Sequence, residues 1–356
     1  MLASRTGRTA LVWLGAVVLL SGCTAAEPGA GQAPERPPAE VSSTPGPPAR
    51  IVRFTAAGDY SSSAEAEAVL AAIGEARPDV HVAVGDLSYG ARGEEQAWCD
   101  LVTGHVGDEL PFELLAGNHE SDGRNGLIDD FAECLPNRLP GLEGEYGRQY
   151  FVDVPLNDPL VRFVLISPAV AFLDGVWDYG EGTDRYEWTS DAIDGARSAG
   201  IPWVVVGMHK PCHSMGEYPC EPGAEITNLL VEKGVNLVLS GHEHLYQRTH
   251  QLAVGGSCPR LVVHTYEPEC VADDDSDHAA GAGTIFVTVG TGGVALRNVH
   301  RDDSDTPYFA AASGANEQPT WGFLAVEAGE ATLAASFRPA IGSFEDSFTL
   351  TTAVGR

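Results

Sequence analysis

The chain is short of positive charge. Its 21 Lys and Arg stand against 50 Asp and Glu, a formal net charge of −29 at pH 7. No basic patch interrupts that field, so a surface that tracks a nucleic-acid backbone is excluded. There is no Gly-rich phosphate loop, so nucleotide-driven phosphoryl transfer has no support. No two cysteines have Cys-x-x-Cys spacing, which removes a zinc ribbon. No internal repeat occurs. What is present is apolar bulk: 44% of 356 residues are hydrophobic, ample for a large core.

The N-terminus must be set aside first. Arg5 and Arg8 precede the apolar run Ala10 to Leu20, which is too short to span a bilayer. Residues 1–22 therefore read as a secretory signal peptide. Leu20-Ser21-Gly22-Cys23 resembles the lipobox of bacterial lipoproteins. That resemblance implies cleavage before Cys23, a lipid on its sulfur, and a chain anchored to the outer face of a bacterial membrane. Membrane association is expected through that anchor alone. Removing residues 1–22 takes away two Arg and no acid, so the remaining chain is more acidic still. Residues 23–50 are rich in Pro, Ala and Gly without apolar periodicity. They cannot bury a core and are expected to form a disordered tether.

Six cysteines remain: Cys99, Cys134, Cys212, Cys220, Cys258 and Cys270. In an exported chain they suggest three disulfides, and six cysteines allow fifteen pairings. Nearest-neighbour pairing is the expectation: Cys99 with Cys134, Cys212 with Cys220, Cys258 with Cys270.

From Ile51 to the end the pattern is that of one folded domain, residues 51–356. Ile51 to Ala57 reads as a strand, Ala64 to Ala76 as a helix, His81 to Val84 and Phe112 to Ala116 as further strands. Gln149 to Val154 and Val161 to Ser167 follow as strands, then a helix over Arg185 to Ser198. Strands are expected at Trp203 to Gly207, Val235 to Ser240, Leu261 to Thr265 and Thr284 to Val289, with a helix at Glu225 to Glu232. Alternating segments Gly322 to Glu327, Ala331 to Phe337 and Ser347 to Thr352 close the chain as antiparallel strands. Strand–helix alternation argues for an α/β fold with parallel pairing. The acidic run Asp273 to Asp277 reads as solvated loop. Gly90 to Gly107, Ser121 to Gly147 and Pro211 to Gly223 read as loops that would set specificity.

Three of these strands end in Gly followed by Asp or Asn: Gly58-Asp59, Gly85-Asp86 and Gly117-Asn118. Two more deliver histidine: Val206-Gly-Met-His209 and Gly241-His242-Glu-His244. Ligands of open α/β sheets sit beyond the carboxyl ends of strands. Asp59, Asp86, Asn118, His209, His242 and His244 supply three oxygen and three nitrogen donors, and Tyr89 adds a phenolate candidate. Seven donors are too many for one tetrahedral zinc and suit two adjacent cations sharing a carboxylate. Such cations would also supply the local positive centre that an acidic chain needs to attract an anion.

The ordered blocks Gly58-Asp59, Gly85-Asp86-x-x-Tyr89, Gly117-Asn118-His119-Glu120, Val206-x-x-His209 and Gly241-His242-x-His244 resemble the signature of purple acid phosphatases, a branch of the calcineurin-like metallophosphoesterases. Tyr246 and Arg248 are similar to that family too. The resemblance implies a four-layer αββα sandwich, α/β or α+β by some schemes, with two mixed sheets flanked by helices. It implies that Asp59, Asp86, Tyr89 and His244 hold a ferric iron. It implies that Asn118, His209 and His242 hold a divalent iron, zinc or manganese, with Asp86 bridging. The implied reaction is attack of a metal-bound hydroxide on the phosphorus of a phosphorylated small molecule or peptide. His119 would contact the phosphate or protonate the leaving group, and Glu120 would orient it. His213, four residues past His209, is a weaker candidate for that proton, in a loop shorter than that of plant relatives. Lys210 is a weaker phosphate contact. The same metals would also suit a phosphodiesterase or nucleotidase, and a tethered binding protein with an inactive site is the non-enzymatic alternative. His81, His105, His250, His264, His278 and His300 read as structural or surface residues.

Overall fold

The expected first strand forms over Ile51–Ala57 and lies near the middle of a seven-stranded sheet. The computed structural model describes residues 50–353. The signal peptide, Cys23 and all of the tether but Arg50 fall outside those residues. No helix among the described residues is long and apolar enough to cross a membrane.

The first sheet runs in the order Asp277–Ala279, Asp346–Thr351, Thr332–Ile341, Trp321–Gly329, Ile51–Ala57, Val80–Ala83, Phe112–Leu114. Its last three strands are parallel, and the C-terminal strands join antiparallel to Ile51–Ala57. The second sheet has eight strands in the order Phe309–Ser313, Tyr246–Thr249, Ile285–Val289, Leu237–Ser240, Trp203–Met208, Val161–Ile166, Gln149–Val154, Glu143–Glu145. Four of them, Ile285–Val289 through Val161–Ile166, are parallel. Val161–Ile166 and Trp203–Met208 are buried along their whole length. This is why they read as unbroken apolar runs rather than alternating ones.

The two sheets face each other across one core. Phe54 of the first meets Phe163 of the second edge to face, ring centroids 4.9 Å apart. Each fully buried Val, Leu or Phe contributes roughly 1.5–3 kcal/mol. Helix Ala64–Ala76 packs on the first sheet, and helix Asp184–Ser198 packs beside Val161–Ile166. Ser63 starts the former by accepting from the Ala66 amide at 3.1 Å, and Thr183 starts the latter through Tyr186 at 3.3 Å. The architecture is thus the mixed α/β sandwich expected. A polar clamp also ties the sheets: Arg248 makes a two-pronged bond to Asp346 at 2.6 and 2.9 Å, and Tyr246 Oη donates to the same carboxylate at 2.7 Å.

Three local expectations change. The Ser121 to Gly147 loop holds the helix Ile128–Cys134 and the strand Glu143–Glu145. Leu261 to Thr265 is not a strand, apart from a single bridge between Val262 and Thr265. The side chain of Asn228 takes both backbone groups of Leu261, at 2.7 and 3.0 Å, so they are not available to a sheet. The Gly90 to Gly107 loop is largely the helix Glu95–Val106. It lacks a side-chain cap, which hides it from pattern reading. Burial of Trp98, Cys99 and Val102 and the Cys99–Cys134 disulfide hold it to the core. All three disulfides join the expected pairs.

Candidate metal centre

The parallel strands of both sheets point their carboxyl ends at a common edge, and the turns beyond them are stitched together by backbone hydrogen bonds. Gly58 N donates to Val289 O at 3.0 Å, Asp59 N to Gly85 O at 3.0 Å, and Gly241 N to His209 O at 3.0 Å. The turns are tight. Asp59 (φ 60°), Asp86 (φ 54°), Tyr89 (φ 53°) and His242 (φ 67°) all adopt left-handed backbone conformations. Each costs on the order of 1 kcal/mol or more for a side chain with a Cβ.

The glycines that precede these ligands carry little of that strain. Of Gly58, Gly85, Gly117 and Gly241, only Gly85 has a left-handed φ, 90°. Gly117 is needed for a different reason. A Cβ there would lie 2.1 Å from Asp86 Oδ1, so the close approach of backbone and carboxylate requires a bare Cα.

The structure brings the seven expected donors together in two overlapping groups. Asp59, Asp86 and His244 offer atoms within 4.8 Å of one another, as do Asp86, His209 and His242. Asp86 belongs to both. Tyr89 Oη joins the first group, at 3.1 Å from Asp59 Oδ1, 3.0 Å from Asp86 Oδ2 and 3.1 Å from His244 Nε2. Asn118 Oδ1 joins the second, 3.2 Å from His209 Nε2. The Nδ1 of His209 donates to Val84 O at 2.9 Å and that of His244 to Ala295 O at 3.1 Å. Each ring is thereby turned with Nε2 toward the acids, the orientation a metal-binding imidazole needs.

Charge in this pocket is poorly balanced. Burial pushes Asp59 up to about 8, against the pull of His209. Burial opposes the charge on Asp86 too, yet His209 and His119 hold it well below the carboxylate range. Burial disfavours charge on His209, but Asp86 outweighs it and raises the imidazole to about 9. Burial, then Asp59 and Asp86, drive the Tyr89 phenol far up. Asp59 and the Tyr89 phenol are thus held protonated beside the charged pair of Asp86 and His209, and they can ionise only where more positive charge is supplied. The donor set of three oxygen-bearing side chains, three imidazoles and a phenol fits a pair of cations.

The remaining site residues divide. His119 is partly open to solvent. Its Nδ1 lies 2.7 Å from Asn125 Oδ1, and its Nε2 lies 3.7 Å from Asp86 Oδ2. Glu120 does not orient that ring. It is fully buried, and its carboxylate accepts from the amides of Asp86 (2.9 Å), Leu87 (3.2 Å) and Gly117. Those N–H groups of the two tight turns have no sheet partner, and Glu120 satisfies them. Asn125 orients His119 instead, and donates to Tyr89 O and Gly90 O at 2.9 and 2.7 Å.

His213 is also placed differently from expectation. It is 5% exposed, its Nδ1 is 3.0 Å from Asp305 Oδ2, and its ring packs on Tyr308. No described contact joins it to the acid–imidazole cluster, and a ring so enclosed is poorly set to protonate a leaving group. Glu221 was missed. Its Oε2 is 2.9 Å from His242 Nε2, and its Oε1 takes the Lys210 ammonium at 2.9 Å, so Lys210 is committed to a carboxylate. The His242 hydrogen bond, helped by Lys210, holds Glu221 down at about 2. The available signal was the Cys212–Cys220 staple, which folds Glu221 back toward the His209 strand. Asn125 carried no such signal.

Residues 52–246 match the family model described as calcineurin-like phosphoesterase. Among curated proteins, purple acid phosphatase 18 of Arabidopsis thaliana is 26% identical over 61% of this chain and 49% of its own length. An acid phosphatase of Aspergillus ficuum is 24% identical over 46% of this chain and 37% of its own. The chain spans about half the length of the first of these relatives. A solved purple acid phosphatase from yellow lupin seeds superposes with a TM-score of 0.60 at 18% identity, covering 85% of this chain and 54% of that one. At that identity the superposition speaks to fold alone. The family match spans more than half of the chain and takes in all seven expected donors. This chain belongs to the calcineurin-like phosphoesterase family.

Proposed function

We propose that the chain is an exported, lipid-anchored phosphatase that hydrolyses phosphate monoesters with two metal ions. The observation that carries the reading is the place of Asp86 in both donor groups, the geometry of a carboxylate shared by two cations. Asp59, Asp86, Tyr89 and His244 would hold ferric iron, since a phenolate is a hard anionic donor. Asn118, His209, His242 and the shared Asp86 would hold divalent iron, zinc or manganese. Such a pair, when bound, activates water and takes up phosphate charge. His119 Nε2 is the proton donor to the leaving oxygen, and Asn125 keeps that nitrogen turned inward by engaging Nδ1. Glu120 holds the Asp86 and Gly117 turns in register. Export and anchoring rest on residues 1–23 alone.

The test is metal analysis, a visible spectrum and turnover of p-nitrophenyl phosphate against its bis-ester. Expected are two metals per chain, faster monoester turnover, and visible absorbance that disappears in Tyr89→Phe. A colourless ferric protein refutes the phenolate assignment. Faster turnover of the bis-ester makes the chain a diesterase, and no turnover with both metals bound makes it a binding protein.

A further inference from the structure

We propose that the chain has a third cation site, built by His264, Asp303 and Asp305 and separate from the donors assigned above. The three side chains each bring a ligand atom to within 4.8 Å of the other two. They arrive from two loops that are fixed to each other. His264 lies in the loop closed by the Cys258–Cys270 disulfide. Asp303 and Asp305 precede the turn Thr306–Tyr308. Tyr308 Oη joins the loops, accepting from Glu267 N at 2.9 Å and donating to Thr265 O at 3.2 Å.

Asp305 is the telling residue. It is 1% exposed, yet only half of its carboxylate is satisfied. Oδ2 accepts from His213 Nδ1 at 3.0 Å, while Oδ1 is buried with no partner. Leaving a buried charged oxygen unpaired is costly, and buried carboxylates are retained when they are paired or bind metal. A cation shared with Asp303 and His264 supplies the missing partner. Asp303 is already positioned for it: its Oδ1 accepts from Asp305 N at 2.7 Å, which sets the two carboxylates side by side. His213 then becomes a positioning residue that holds a ligating carboxylate from behind.

The donors also select the ion. One imidazole nitrogen with two carboxylates suits zinc, whereas calcium and magnesium take oxygen donors. Three protein ligands leave one tetrahedral position for water, and exposed His264 gives the ion a way in. A zinc here would pin the two loops together behind His213. His213 sits one residue past Cys212, in the stapled loop that ends beside Glu221.

The experiment counts zinc. The full-length protein and its His264→Ala and Asp303→Asn variants are equilibrated with micromolar zinc, desalted, and assayed by elemental analysis. The same comparison is repeated in a chain carrying Asn118→Ala and His209→Ala, where the donor pair assigned above is impaired. In both backgrounds each variant should bind one equivalent fewer than its parent. Added zinc should raise the melting temperature of the unaltered chain by several degrees more than that of His264→Ala. His264 is exposed, so its replacement tests the site without endangering the fold. Equal zinc in parent and variants, or retention only at millimolar zinc, overturns the proposal. Equal retention of calcium overturns the assignment to an imidazole-containing zinc site.

Discussion

Replacing Gly117 by alanine adds one methyl group, and the structure shows how little space it has. The new Cβ would stand 2.1 Å from Asp86 Oδ1 and 2.5 Å from Asp86 N. Since Cβ contacts under 3.0 Å are essentially never seen, the Asp86 turn or the Gly117 turn must move by about 1 Å. Neither can move freely, because Glu120 hydrogen-bonds to both. Overpacking of this kind costs about 1–3 kcal/mol. A displacement of about 1 Å in a group that positions the reaction lowers turnover on the order of 100-fold. Gly104 provides the matched control. It is exposed in the helix Glu95–Val106, and a Cβ there meets nothing within 4 Å. Gly104→Ala should stabilise the protein by about 0.5–1 kcal/mol and leave activity alone. Thermal unfolding, metal content and kcat/KM on p-nitrophenyl phosphate read all three effects. A Gly117→Ala protein with both metals and full turnover would refute the account of Asp86 as the shared donor.

Other consequences follow from single contacts. Asn125→Ala frees His119 Nδ1, so kcat should fall about 10-fold or more while metal content and melting temperature hold; an unchanged kcat removes Asn125 from the site. Asp346→Ala strands the buried Arg248 between the sheets and should cost about 3–5 kcal/mol in urea unfolding. A loss under 1 kcal/mol would mean the clamp is incidental. Burial holds the His81 imidazole down at about 3, neutral between the hydroxyls of Thr55 and Tyr60. Its folded value lies below the unfolded one of about 6.5, so its contribution is intact above that pH. It is lost as pH falls toward 3, by about 1.4 kcal/mol per unit. Urea titrations from pH 7 to 4 should show a shallower decline in His81→Gln than in the parent, and equal slopes would contradict the assignment.

The donors, their order and their places at strand ends were legible in the chain because each is a local feature. An apolar run, a glycine and a polar residue lie within a few positions of one another, and their spacing survives folding. The three disulfides were legible for the same reason, since each pairs sequence neighbours. The tertiary structure alone decided what those residues touch. It put left-handed backbone at Asp59, Asp86 and His242, and it gave Glu120 to the amides of two turns rather than to the neighbouring imidazole. It turned His213 toward Asp305, a partner 92 residues away, and used Asn228 to keep Leu261 out of a sheet. Those outcomes depend on which surfaces the two sheets press together. Periodicity along a chain records which face of a strand is buried, but not which distant side chain will be waiting there.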